Sequence, residues 1–141
     1  MTVLLGGLRV LGATHKDRPE GVFVRANYSA SADIVLDWNA IAAQTVSVQN
    51  PFAQARYAAI TQLAVFEAVN AVTEQYQPYL RTVTAPAGAS PEAAAAAAAH
   101  RVLISYFPNS AAALDAALAT SLAAIPNGQA KADGVATGEA A

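Results

Sequence analysis

The chain has 141 residues, of which 8 are basic and 10 acidic, so its formal net charge is −2. This length suits one domain with its own core. Binding to nucleic acid or to an anionic membrane surface requires a concentrated basic patch, so the charge balance argues against both partners. The absence of cysteine excludes disulfide bonds, thiolate metal sites and cysteine nucleophiles.

The composition is apolar and poor in charge. Hydrophobic residues make up 55% of the chain and charged residues 13%, whereas about a quarter of residues are charged in an average globular domain. Much of the excess is alanine, which favours close helix packing over a bulky core. We therefore expect this surface to contact another segment of its own protein or a second copy. No transmembrane span is predicted, because polar residues interrupt the most apolar stretch, residues 57–72.

Residues 1–30 are interpreted as an irregular lead. Their apolar segment, Thr2 to Leu11, has no basic start and contains Arg9, so it makes a poor signal peptide. A short strand or loop packed on the helices is an equally good interpretation. The lead therefore leaves the cellular location undetermined.

Residues 31–141 are predicted to form one all-α domain, a helical bundle of about five helices. The first helix spans about residues 32–48, with its apolar residues on one face. Ser31 or Asp33 is its predicted cap. Trp38, the sole tryptophan, is predicted to be a core anchor whose N–H finds a hydrogen-bond partner.

The second helix, near residues 51–75, is predicted to be the central one. Apolar residues go most of the way around it, a pattern typical of a helix buried by several neighbours. Pro51 suits its first turn. Pro78 is predicted to end this region.

The third helix is predicted to start at Ser90-Pro91-Glu92 and to run to about residue 107. It contains seven consecutive alanines, which favour helix and present a smooth surface to a neighbour. Asn109-Ser110 is predicted to cap a fourth helix with a leucine stripe. A fifth helix begins near residue 127 and still runs at Ala141, so we expect the domain to be truncated at its C-terminal end.

Glu67 and Asn70 lie one turn apart within the apolar second helix. A buried carboxylate is costly unless it is paired, so Glu67 requires a partner. The two side chains are interpreted as hydrogen-bond anchors for a neighbouring helix or loop, in preference to a ligand or acid–base pair. A carboxylate metal site using Glu67 stays a third hypothesis, although the spacing supplies no further ligands.

Two further polar candidates are Asp37 and His100. Asp37, beside Trp38, is predicted to accept a local hydrogen bond or to act as a cap. His100 and His15 are the only histidines, and a zinc site needs three or four clustered ligands. His100 is therefore expected to pack with one hydrogen bond. No residue is predicted to be catalytic, cofactor-binding or metal-ligating.

Three stretches of the chain together resemble a known family. They are DWNAIA at 37–42; AVFEAVNA at 64–71 followed by YQPYL at 76–80; and AAAAAAHRVLISYFP at 94–108 followed by the leucine stripe and AIPNGQAKADGVATGEA. This pattern is similar to the N-terminal helical region of bacterial vanadium-dependent haloperoxidase-like proteins of the type-2 phosphatidic acid phosphatase superfamily. The resemblance covers roughly residues 32–141.

The resemblance implies a helical parent enzyme that catalyses peroxide-dependent halide oxidation or phosphoester hydrolysis. Its oxyanion pocket, which holds vanadate or the substrate phosphate, lies in the C-terminal half. The pocket's motifs are a lysine, six residues and then Arg-Pro; Pro-Ser-Gly-His; and Ser-Arg, five residues and then histidine. None of them occurs in this chain, so no catalytic residue carries over. The only Arg-Pro here is Arg18-Pro19, and its nearest upstream lysine, Lys16, is too close to fit the first motif. Vanadate is expected only in the complete parent, whose exported location the resemblance also implies.

The leading hypothesis is thus a non-catalytic helical N-terminal part of such an enzyme, with the missing C-terminal catalytic segment as its partner. The alternative is a free-standing helical interaction module that self-associates through its alanine-rich faces. The sequence does not distinguish a haloperoxidase parent from a phosphatase parent, and it names no substrate, halide or oligomeric state.

Overall fold

The structure is a computed structural model that describes residues 31–80 and 83–141. Within these ranges the chain forms five α-helices and no β-strand, so the predicted all-α bundle is confirmed. The elements are α1 (Ser31–Val46), α2 (Pro51–Thr73), α3 (Pro91–Tyr106), a 3₁₀ turn (Pro108–Ser110), α4 (Ala111–Ala123) and α5 (Gln129–Ala140). The predicted lead and the side chains of residues 31–33, including the predicted α1 cap, lie outside the described part.

Asparagine and serine side chains cap α2 and α3. The Asn50 Oδ1 atom accepts a hydrogen bond from the Ala53 amide at 3.1 Å. The Ser90 Oγ atom accepts one from the Ala93 amide, also at 3.1 Å. In both helices a proline occupies the first turn, where its missing N–H costs nothing. The predicted start of α3 is therefore confirmed.

Two other helix boundaries differ from the prediction. α2 ends at Thr73, because Glu74 adopts the left-handed conformation with φ 51° and donates its amide to the Asn70 carbonyl. Ser110 makes no side-chain cap for α4, so the predicted cap is wrong. Instead the 3₁₀ turn leads into α4, and the Ser110 amide donates to the Phe107 carbonyl at 2.9 Å.

α3, rather than the predicted α2, is the central helix. It contacts each of the other four helices, and its seven alanines at 93–99 are at most 1% exposed. The N-terminal half of α2 is largely exposed, and Phe52 is 90% exposed. A helix is buried when other helices pack close to it. Because α3 has few bulky side chains, several helices can approach its backbone closely. Apolar character around α2 did not by itself supply those neighbours.

The core has two parts on either side of α3. The larger part surrounds Trp38, Leu103 and Leu114, which are each at most 2% exposed. The smaller part consists of alanines from α2 and α3, among them Ala68 and Ala94. Within the described residues no helix has the length and apolarity needed to cross a bilayer.

Candidate functional site

The buried polar residues of α2 form the first candidate site. Glu67 is 2% exposed and Asn70 is 5% exposed. Residues three positions apart share one face of a helix, and here that face meets the loop that follows α2. Both side chains form hydrogen bonds with the backbone of this loop. We refer to Glu67, Asn70 and residues 76–80 as the loop latch.

Glu67 holds the distal part of the loop. Its Oε1 atom accepts hydrogen bonds from the amides of Tyr79 at 2.5 Å and Leu80 at 3.0 Å. Hydrogen bonds to a charged acceptor are shorter and stronger than bonds between neutral groups. Two such bonds give the buried carboxylate the partners it needs.

Asn70 holds the proximal part of the loop. Its Oδ1 atom accepts from the Tyr76 amide at 2.8 Å, and its Nδ2 atom donates to the Tyr76 carbonyl at 2.9 Å. The side-chain amide therefore pairs with both backbone groups of one residue. Its own carbonyl also accepts the Glu74 amide that ends α2. This one residue thus couples the end of the helix to the course of the loop.

A groove of about 220 Å³ opens beside the loop latch. Glu67, Asn70, Glu74 and Tyr76 are among its lining residues. The bonds described above direct Asn70 and the Glu67 Oε1 atom to the loop backbone rather than into this groove. The hydrogen bonds of the loop latch hold the loop against α2.

The second candidate cluster joins α1, α3 and α4. The His100 Nε2 and Asp115 Oδ1 atoms lie 2.8 Å apart. The imidazole meets the Trp38 ring edge-on, with ring centroids 6.2 Å apart. The Trp38 Nε1 atom donates to the Ser121 Oγ atom at 3.1 Å. His100 therefore packs with one hydrogen bond, and Trp38 lies in the core with its N–H bonded.

Asp37 does not belong to either cluster. It lies on the exposed side of α1, whereas its neighbour Trp38 points into the core. His15 lies outside the described residues. The structure thus brings Glu67 and Asn70 together, places His100 in a separate cluster and leaves Asp37 at the surface.

Sequence reasoning missed two features of α5. Lys131 donates from Nζ to the carbonyls of Leu122 and Ile125 and to the Asn127 Oδ1 atom, and so binds the C-terminal end of α4. Gly134 and Gly138 let α5 approach the alanine surface of α3. The Gly-x-x-x-Gly spacing was a readable signal, because small residues one turn apart allow two helices to come close.

Among the residues that the structure describes, no three or more His, Asp or Glu side chains form a group that could hold a metal ion. Comparison of the chain with protein-family models, with curated proteins and with solved structures finds no match.

Apolar side chains remain exposed at several places on the bundle, including the loop after α2, where Tyr79 is 72% and Leu80 54% exposed. Val35 and Leu36 on α1 are 37% and 65% exposed. Val35 borders a groove of about 280 Å³ between α1 and α2, whose walls include Phe66 and Val69. Where α1 ends and α2 begins, Val48 is 82% exposed. These surfaces, rather than a cluster of reactive groups, are the unexplained features of the described chain.

Proposed function

We propose that the chain is a non-catalytic helical scaffold, the N-terminal part of a vanadium haloperoxidase-like or acid phosphatase-like protein. The supporting observation is that the residues carrying the family resemblance bond to one another. In the second stretch, Glu67 and Asn70 of AVFEAVNA bind the backbone of YQPYL. The second stretch therefore supplies both the side chains and the loop backbone of the loop latch. Its polar residues stabilise the fold, as expected of a scaffold.

The first and third stretches are related in the same way. Trp38 of DWNAIA packs edge-on against His100 of the alanine-rich stretch. Its N–H bonds Ser121 on the helix that carries the leucine stripe. Polar groups within the resemblance thus serve packing between helices, and we assign the chain a structural role in its parent.

In the parent, the reaction is peroxide-dependent halide oxidation or phosphoester hydrolysis, and the catalytic helices pack on this scaffold. The exposed apolar surface of α1, with Val35 and Leu36, and the adjacent groove on α2 are the surfaces we assign to that contact. Vanadate or substrate phosphate would bind in the catalytic part. No residue of this chain is assigned to the oxyanion.

The alternative is a free-standing module that associates through its alanine-rich faces. The alanines of α3 are covered within the chain, so that particular face is not available to a partner. Association through alanine would have to use exposed alanines of the other helices, such as Ala55 and Ala59 of α2 or Ala112 and Ala116 of α4. Because the alanine run of α3 is covered within the chain, we favour the scaffold over the self-associating module.

The deciding experiment is the intact mass of the native protein from its source, compared with the reading frame. We expect a protein heavier than 14.4 kDa, whose continuing sequence contains Arg-Pro and Pro-Ser-Gly-His motifs. The isolated 141-residue chain should show no vanadate-dependent bromide oxidation. Stoichiometric bromide oxidation by the isolated chain, or a native mass equal to that of these residues, would refute the proposal.

A further inference from the structure

The turn between α4 and α5 contains an asparagine followed by a glycine, Asn127-Gly128. Both residues lie outside the helices, and both are exposed. Gly128 has φ 155°, a backbone conformation that residues with a side chain rarely adopt. A Cβ atom on this glycine would meet no heavy atom within 4 Å. The peptide bond between the two residues is therefore open on the side where other residues carry a side chain.

An asparagine side chain is chemically labile, because its amide carbon can be attacked by the peptide nitrogen that follows it. The attack requires that this nitrogen carry a hydrogen, that it be free of a hydrogen bond, and that no bulky side chain shield it. The Gly128 amide donates no hydrogen bond to any part of the described chain, and glycine has no side chain. Asn127 therefore meets all three conditions.

Three other asparagines of the described chain are protected from this attack. Asn39 and Asn70 lie within α1 and α2, where the amide that follows each of them belongs to the helical hydrogen-bond ladder. Asn50 precedes Pro51, whose nitrogen carries no hydrogen.

Asn109 provides the closest comparison with Asn127. It is exposed and lies in the 3₁₀ turn before α4. The amide that follows it belongs to Ser110 and donates to the Phe107 carbonyl at 2.9 Å. Among the described asparagines, only Asn127 thus precedes an amide that is both unshielded and unbonded.

Lys131 lies directly against the side chain of Asn127. Its Nζ atom donates to the Asn127 Oδ1 atom at 3.1 Å. Two further bonds, to the carbonyls of Leu122 and Ile125, hold the ammonium group in this position. Negative charge develops on Oδ1 when the amide carbon is attacked, and a cation already bonded to that oxygen stabilises it.

We propose that Asn127 is a modification site at which the chain deamidates spontaneously, assisted by Lys131. The Gly128 nitrogen forms a bond to the Asn127 Cγ atom and gives its proton to solvent. Ammonia leaves, and a cyclic imide remains. Water then adds to one of the two imide carbonyls and breaks its bond to nitrogen: opening at Cγ gives aspartate, and opening at the main-chain carbon gives isoaspartate. Water is the co-reactant, and nothing is oxidised or reduced.

The two products differ in their effect on α5. Aspartate leaves the backbone unchanged and places a carboxylate beside the Lys131 ammonium, where a charge-assisted hydrogen bond forms. Isoaspartate adds a carbon to the backbone just before α5. The start of α5 is fixed on α3, because the Ser90 amide donates to the Ala130 carbonyl at 2.8 Å and Gly134 packs directly on Ala93. The longer connection must disturb these contacts, so we expect the isoaspartyl form to be the less stable one.

The test is incubation of the folded 141-residue chain in a mildly alkaline buffer, followed by peptide mapping with mass spectrometry. Electron-transfer fragmentation distinguishes isoaspartate from aspartate. We expect Asn127 to react at least about tenfold faster than Asn109, because reaction at Asn109 must first break the hydrogen bond of the Ser110 amide. Equal rates at the two asparagines would overturn the proposal. So would an Asn127 that reacts only when the chain is unfolded in urea.

Variants test the assistance by Lys131. Lys131→Met should slow the reaction at Asn127 several-fold, whereas the matched control Arg101→Met, which removes an exposed charge from α3, should leave the rate unchanged. Far-ultraviolet circular dichroism checks that both variants fold. An unchanged or faster reaction in Lys131→Met would overturn the assisted mechanism.

A second pair of samples tests the effect on α5. Asn127→Asp, which is the aspartate product, should unfold at the same urea concentration as the wild type or at a higher one. The isoaspartyl fraction, separated from the incubated chain by ion exchange, should unfold at a lower concentration. This inference does not depend on the proposed scaffold function, since it concerns the turn between α4 and α5 and not the native reading frame. An isoaspartyl form as stable as Asn127→Asp would contradict the predicted effect on α5.

Discussion

Gly134 of α5 lies so close to Ala93 of α3 that a Cβ atom on the glycine would fall 2.8 Å from the alanine Cβ. One turn later, Gly138 stands in the same relationship to Ala97, at 2.7 Å. Real Cβ atoms do not approach each other so closely. α5 offers few bulky apolar side chains, so this near-contact of backbones is what docks it on the central helix.

The first prediction concerns this contact. Gly138→Ala adds a Cβ that meets the Ala94 backbone carbonyl and the Ala97 Cβ atom. Overpacking of this kind costs about 1–3 kcal/mol, and a backbone carbonyl cannot rotate away. We therefore expect the upper end of this range, and the better helix propensity of alanine, worth about 1 kcal/mol, leaves a net destabilisation of about 2 kcal/mol. Urea unfolding followed by circular dichroism measures it.

The control for this substitution is Ala136→Ser on the exposed side of α5. A surface change of this size should alter the free energy of unfolding by no more than about 0.5 kcal/mol. If Gly138→Ala proved as stable as the wild type, or more stable, the close approach of α5 to α3 would be wrong.

Much of the fold could be predicted from local chemistry. Ser90-Pro91-Glu92 marked the start of α3, because a serine cap and a first-turn proline satisfy the free end of a helix. The order of helices followed from apolar spacing in the same way. The central position of α3 could not be predicted, since it depends on how near other helices come. Seven alanines indicate a helix, but their burial comes from the four neighbouring helices, of which α5 comes close through its glycines.

The polar candidates show a similar division. A carboxylate within an apolar helix demanded a partner, and Glu67 has two backbone amides as its partners. The sequence predicts that Glu67 needs a hydrogen-bond partner, but it does not identify the loop residues that provide it. Every residue except proline has a backbone amide, so residue type does not reveal which amide is the donor. Asp37 was expected to accept a local hydrogen bond or to act as a cap, and the structure places it on the exposed side of α1.

The second prediction concerns the loop latch. Glu67→Ala removes the acceptor of the Tyr79 and Leu80 amides. It should lower the free energy of unfolding by about 1.5–3 kcal/mol, the range for hydrogen bonds to a charged group. Glu67→Gln keeps an acceptor oxygen and should cost less. Hydrogen exchange of the Tyr79 and Leu80 amides should rise in Glu67→Ala, because these two amides lose their acceptor.

Removal of an exposed carboxylate provides the comparison. Glu139→Ala on α5 should leave both the unfolding free energy and the exchange of residues 76–80 close to the wild type. Equal effects of Glu67→Ala and Glu139→Ala would show that the latch contributes nothing to holding the loop.

The third prediction uses the sole tryptophan as a reporter. Ser121→Ala leaves the Trp38 N–H without its 3.1 Å acceptor, and an unpaired donor in a packed site costs about 1–3 kcal/mol. We expect a loss of stability near the lower end, since Ser121 is only half-buried. The emission spectrum of Trp38 should shift as well. The control is Thr120→Ala, one residue away and exposed, which should leave the Trp38 spectrum unchanged. A spectral shift in Thr120→Ala but not in Ser121→Ala would contradict the hydrogen bond between Trp38 and Ser121.

The fourth prediction concerns the end of α4. The ammonium group of Lys131 binds the carbonyls of Leu122 and Ile125, and a cation at this end of a helix also interacts favourably with the helix dipole. Lys131→Met keeps the aliphatic stem but removes the charge, so we expect the free energy of unfolding to fall by about 1–2 kcal/mol.

The control is Arg101→Met, which removes an exposed charge from α3 and should lower the free energy of unfolding by less than about 0.5 kcal/mol. Because salt screens an exposed charge more than a bonded one, the difference between the two variants should persist at high salt. Its disappearance there would show that Lys131 acts only as a surface charge.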